Sequence, residues 1–90
     1  MPQADEVMRI EQIGEPIRVL ADCFGGAMRP VRFDWQGRRY DVAAVNGQWV
    51  DRQGDGYGLH FSVQVGDETY YLHFAGNQVQ WWLDQVILDG

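Results

Sequence analysis

Ninety residues, 46% of them hydrophobic and 22% charged, suffice for one packed domain and are too few for two cores. This apolar content excludes a chain that stays disordered, and no apolar run approaches the roughly 20 residues of a membrane-spanning helix. Thirteen acidic residues against seven arginines, with no lysine, leave a net charge of −6, which opposes a non-specific nucleic-acid binder.

The N-terminal segment, residues 1–14, reads as a short helix over 5–13. Asp5 and Glu6 suit its positive dipole end, Val7, Ile10 and Ile13 recur at near-helical spacing, and Gly14 and Pro16 stop it. That start is acidic and lacks the basic-then-apolar layout of a signal peptide, so the chain reads as cytoplasmic. From Ile17 the period becomes two, and residues 15–90 read as a single small β-barrel domain. Ile17 to Ala21 is a first strand, and Cys23-Phe24-Gly25-Gly26 its turn. The lone cysteine, Cys23, excludes an internal disulfide, suits a reducing compartment and is expected to be a small buried hydrophobe.

Four dipeptides sit between β-prone runs and read as hairpin turns: Gln36-Gly37, Asn46-Gly47, Gly66-Asp67 and Gly76-Asn77. Centring a hairpin on Gln36-Gly37 pairs Trp35 with Arg38, Asp34 with Arg39, Phe33 with Tyr40 and Arg32 with Asp41. Val31 and Val42 share the apolar side with Phe33 and Tyr40. Opposite charges and apolar residues then sort onto opposite faces, which supports the register. Residues 51–58, with three glycines, read as one long loop.

Gly66-Asp67 pairs Phe61 with Leu72 and Val63 with Tyr70 on one face, and Ser62 with Tyr71, Gln64 with Thr69 and His60 with His73 on the other. Gly76-Asn77 sets Phe74 against Val79, Leu72 against Trp81 and Tyr70 against Leu83. Three strands thereby share an apolar face. The period breaks at Ala43-Ala44-Val45 and again at Val86 and Leu88, as β-bulges would break it. The expected fold is mainly β: a curved antiparallel meander closing into a five- to six-stranded barrel or roll. A helix over Trp81–Leu88 is the alternative for the C-terminus.

The stretch from Arg29 to Val42 reads R-P-V-R-F-D-W-Q-G-R-R-Y-D-V, followed by Val45 and Trp49 and closed by Trp81, Leu83, Val86 and Asp89. It resembles a family of small bacterial domains of unknown function, the DUF6504-like proteins, over residues 15–89. The resemblance implies a link to error-prone DNA polymerase proteins and attaches no catalytic residue to any position. The glycine-rich loop and the more negative charge depart from that family.

Candidate functional residues fall into two groups. Tyr71, Trp82, His60, His73 and Gln80 are placed on the non-core face, where aromatic rings among polar neighbours offer large contact area with few rotors to freeze. Burial of this face under Val7, Ile10 and Ile13 is the competing expectation. Trp35, with Arg38, Arg32 and Arg39, forms a basic hairpin, Trp35 and Arg38 being suited to a cation–π contact. Residues 29–52 hold five arginines against three aspartates, whereas the rest of the chain holds two arginines against ten acids.

The first functional reading is therefore a non-enzymatic adaptor that binds a protein, or a second copy of itself, through the aromatic face. The second is a nucleic-acid accessory module using the arginine hairpin, disfavoured by net charge. The third is a small metal binder or enzyme on His60 and His73, whose third ligand would have to be Asp84 or Cys23. No metal motif, phosphate loop or nucleophile elbow is present, so neither a cofactor nor a catalytic residue is assigned.

Overall fold

The computed structural model describes residues 9–53 and 56–88. They form seven antiparallel strands: β1 (Arg9–Phe24), β2 (Ala27–Trp35), β3 (Arg38–Asp41), β4 (Ala44–Gln53), β5 (Gly56–Val65), β6 (Glu68–Ala75) and β7 (Gln80–Leu88). Across the sheet they run β3-β2-β1-β7-β6-β5-β4. β3 and β4 thus occupy opposite edges, yet only Val42 and Ala43 separate them in the chain. Three Cα–Cα steps of about 3.8 Å let Asp41 and Ala44 stand at most about 11 Å apart, so the sheet must curl until its edges come together there. The result is a half-barrel. β1 turns the other corner, pairing with β7 over Arg9–Ile17 and with β2 over Arg18–Phe24.

Turn chemistry explains two of the hairpins directly. Gln36 and Gly37 take φ of 52° and 76°, as a type I′ turn demands, and all four pairs expected around them are present. Gly66 supplies positive φ at the first central position of its turn, and the expected pairs Phe61–Leu72, Ser62–Tyr71, Val63–Tyr70, His60–His73 and Gln64–Thr69 are all formed. The first turn is tighter than expected: Gly25 and Gly26 alone close it, with Phe24 opposite Ala27.

Elsewhere the structure corrects the sequence reading. There are seven strands rather than five or six. The expected helix over 5–13 is not formed in its described part: Arg9–Ile13 belong to β1, while Asp5, Glu6 and Val7 lie outside the described residues. Gly14 (φ 67°) is the pivot of a bulge between Gln12 and Glu15, a strand device that a helix-stop signal mimics. Asn46-Gly47 is no hairpin turn. The register slips by one residue between Val45 and Gly47, leaving Asn46 as the extra residue inside β4. The supposed loop 51–58 is largely strand: β4 and β5 pair as far as Gln53–Gly56, and Gly54 and Asp55 lie outside the described residues.

The last turn spans Gly76–Val79, so Phe74 opposes Trp81 and Leu72 opposes Leu83, two residues off the expected register. Val79 leaves the apolar face altogether and is exposed. The helical alternative for Trp81–Leu88 is excluded, because that segment is β7. Cys23 is exposed, not buried.

The inner face carries the core: Ile17, Phe33, Phe61, Val63, Tyr70, Leu72, Leu83 and Val86 are buried. Each such side chain contributes roughly 1.5–3 kcal/mol. Tyr70 of β6 reaches across the interior to Phe33 of β2 and Tyr40 of β3, at ring separations of 5.3 and 5.5 Å, and so ties the two halves of the curled sheet together. Val86 reaches the core only because the β6–β7 register slips between Tyr71 and Leu72, making Asp84 the unpaired residue of β7. That bulge also sets the outer face.

Candidate functional site

Side chains alternate along each strand, so one register position on four adjacent strands points four side chains the same way. Trp49 of β4 opposes His60 of β5, His60 opposes His73 of β6, and His73 opposes Trp82 of β7. All four stand on the outer face as one rung. Their rings are nearly parallel, with centroid separations of 5.3, 5.0 and 6.4 Å and interplanar angles of 11°, 21° and 13°. Tyr71 leans edge-on against Trp49 at 6.3 Å.

Because the rings stack along the rung, their faces look at one another. Trp49 is the exception. It lies on the sheet-edge strand β4, is 46% exposed, and keeps its outer ring face beyond the end of the row.

Carboxylates flank the two imidazoles. Asp84, re-aimed by the β7 bulge, receives the Nδ1 side of His73 at 2.8 Å from both carboxylate oxygens. Asp51 Oδ2 stands 3.8 Å from His60 Nε2. Asp51, His60 and His73 line an open cleft of about 400 Å³ with Tyr57, Gly58, Asn77 and Gln78. A Cβ on Gly58 would come within 3.1 Å of His60 Nε2, and one on Gly76 within 2.5 Å of the Tyr57 ring.

The structure therefore brings together His60, His73, Trp82 and Tyr71 from the expected face, places Asp84, one of the two expected candidates for a third ligand, beside them, and adds Trp49 and Asp51. Gln80 is directed elsewhere: its amide nitrogen donates to the backbone carbonyls of Trp81 (2.8 Å) and Ile17 (3.4 Å). The N-terminal strand does not cover the face. Ile10 is exposed in β1 opposite Ile87, and Ile13 packs against the core; Val7 lies outside the described residues.

The arginine hairpin is assembled differently from its reading. Trp35 opposes Arg38 in register, but its indole is half-buried, stands 6.0 Å from Tyr40 and donates its N–H to Glu15 at 2.8 Å. Arg39 pairs loosely with Asp34 at 3.9 Å, and both are well exposed. Exposed pairs of this kind contribute about 0–1 kcal/mol.

The sequence does not single out Trp49 as a site residue because Asn-Gly mimics a turn, nor Asp51 because glycines mimic a loop. The alternation that puts Val45, Gln48 and Val50 on one face and Gly47, Trp49 and Asp51 on the other is legible only once the bulge at Asn46 is allowed. Fold and face together define a class: a small antiparallel half-barrel with an aromatic and imidazole rung on its convex side. No family model, no curated protein and no solved structure matches the chain.

Proposed function

We propose that the protein is a non-catalytic binding module that takes an extended, arginine-bearing segment of a partner protein along edge strand β4. The observation that carries this reading is Trp49, whose outer ring face ends the rung at a sheet edge, two residues from the carboxylate of Asp51. An edge strand offers a row of backbone groups to an added strand, and alternate side chains of that strand extend the rung. Arginine is the side chain that gains there: its planar cation stacks on indole and pairs with carboxylate, a contact worth about 0.5–2 kcal/mol. The net charge of −6 favours a basic partner over a second copy of the chain or a nucleic acid.

The polymerase-associated nucleic-acid reading loses its stacking ring, since Trp35 is turned toward Glu15 and Tyr40. A reducing, cytoplasmic setting fits the single exposed thiol of Cys23. Among the described residues no helix is long and apolar enough to cross a membrane.

The test is calorimetric titration with an eight-residue peptide alternating arginine and valine, beside a glutamate–valine peptide and a single-stranded oligonucleotide. The arginine peptide is expected to bind, more weakly with salt and roughly 2- to 30-fold more weakly in Trp49→Ala. Binding unchanged by Trp49→Ala, or tighter binding of the oligonucleotide, overturns the reading. Concentration-dependent dimerisation through the same strand replaces the partner with a second copy.

A further inference from the structure

We infer that His60, His73 and Asp84 form a binding site for one divalent first-row transition-metal ion of the zinc type. This stands independently of the partner reading above, because it rests on donor geometry alone. One ligand atom from each residue lies within 4.8 Å of the other two, and all three side chains are half-buried. Among the described residues it is the one place where three such donors converge. Two imidazoles and a carboxylate are the donor set that suits zinc and its neighbours, whereas calcium and magnesium prefer oxygen alone.

The distances fit with small adjustments. Ligands bound at about 2.1 Å in a tetrahedron sit about 3.4 Å apart. His73 and Asp84, at 2.8 Å, need only open by roughly half an ångström, and His60 closes toward them by side-chain rotation. In the metal-free protein the contact between His73 Nδ1 and Asp84 is a hydrogen bond; a cation there takes the place of the hydrogen, and the neutral imidazole then carries its one proton on Nε2. The backbone supplies the preorganisation. His60 and His73 are direct cross-strand partners, and the β7 bulge projects Asp84 beside them.

Asp51, 3.8 Å from His60 Nε2, is placed to orient that imidazole from outside the coordination sphere. The fourth position faces the cleft lined by Tyr57, Gly58, Asn77 and Gln78, where water or a small ligand with an oxygen donor completes the sphere.

The experiment uses the full chain without an affinity tag, stripped with chelator and titrated separately with zinc, cobalt and calcium. The expected result is one zinc per chain and a cobalt spectrum of low-coordinate type. His60→Gln, His73→Gln and Asp84→Asn should each weaken zinc by at least about tenfold, with circular dichroism unchanged. Cys23→Ser should leave binding intact, separating this site from the exposed thiol. Absence of stoichiometric zinc binding overturns the inference. So does equal affinity for calcium, or wild-type affinity in all three ligand variants. A variant that fails to fold is replaced by the cobalt spectrum of the wild type, which by itself must report nitrogen and oxygen ligands without sulfur.

Discussion

Tyr70 shows how one side chain couples the core to solution conditions. Its ring is buried between Phe33 and Tyr40, and its hydroxyl donates to Glu68 at 2.7 Å. Burial first, and the adjacent Glu68 carboxylate second, push the phenol well above its ordinary value of 10.0. The unfolded phenol therefore ionises first as pH rises. Stability contributed by the protonated form is intact below pH 10 and is lost above it, by up to about 1.4 kcal/mol per pH unit. Denaturation midpoints between about pH 9 and 11 should fall more steeply in wild type than in Tyr70→Phe. Equal slopes would refute the assignment. Val79 is the opposite case, a β-branched residue at φ 52° that is 78% exposed. Left-handed backbone costs such a residue about 1–2 kcal/mol, and no core contact is lost on replacing it. Val79→Asn should therefore raise the thermal midpoint by roughly 4–8 °C; a lower midpoint contradicts this.

At the scale of elements, what could be read in the sequence depended on whether a local signal had a competitor. Gln36-Gly37 and Gly66-Asp67 were decipherable because turn chemistry and face sorting agree. Asn46-Gly47 has the same turn chemistry, but continuous pairing of β4 with β5 absorbs it as a bulge. Gly76-Asn77 was legible in part: the turn is two residues longer than expected, and a shift of two preserves which face each side chain takes while changing every partner. That is why Trp81 and Trp82 fell on the correct faces, and why Val79, drawn into the turn, did not. The bulge at Gly14 was hidden because a glycine two residues before a proline punctuates helices and strands alike. Gly14→Ala should cost about 1–2 kcal/mol, since φ 67° is strained for alanine even though no atom lies within 4 Å of its Cβ. Gly47→Ala, at ordinary φ with only Ser62 Cβ at 4.0 Å, should be nearly neutral. Urea midpoints of both variants test the bulge, and equal losses would argue against it.

For the whole molecule, the curled sheet divides its aromatic residues between two jobs. Trp35 and Trp81 pack with the core on the inner face, whereas Trp49 and Trp82 end the outer rung. A partner segment and a metal ion would share that rung. A divalent cation between His60, His73 and Asp84 would neutralise the acidity that attracts a basic segment, so zinc loading should weaken the arginine peptide. The most direct measurement follows the four indole N–H resonances while that peptide is added to the metal-free protein. Trp49 should move most, Trp82 less, and Trp35 and Trp81 should stay in place. Movement of Trp35 or Trp81 with Trp49 unchanged would contradict the assignment of the binding face.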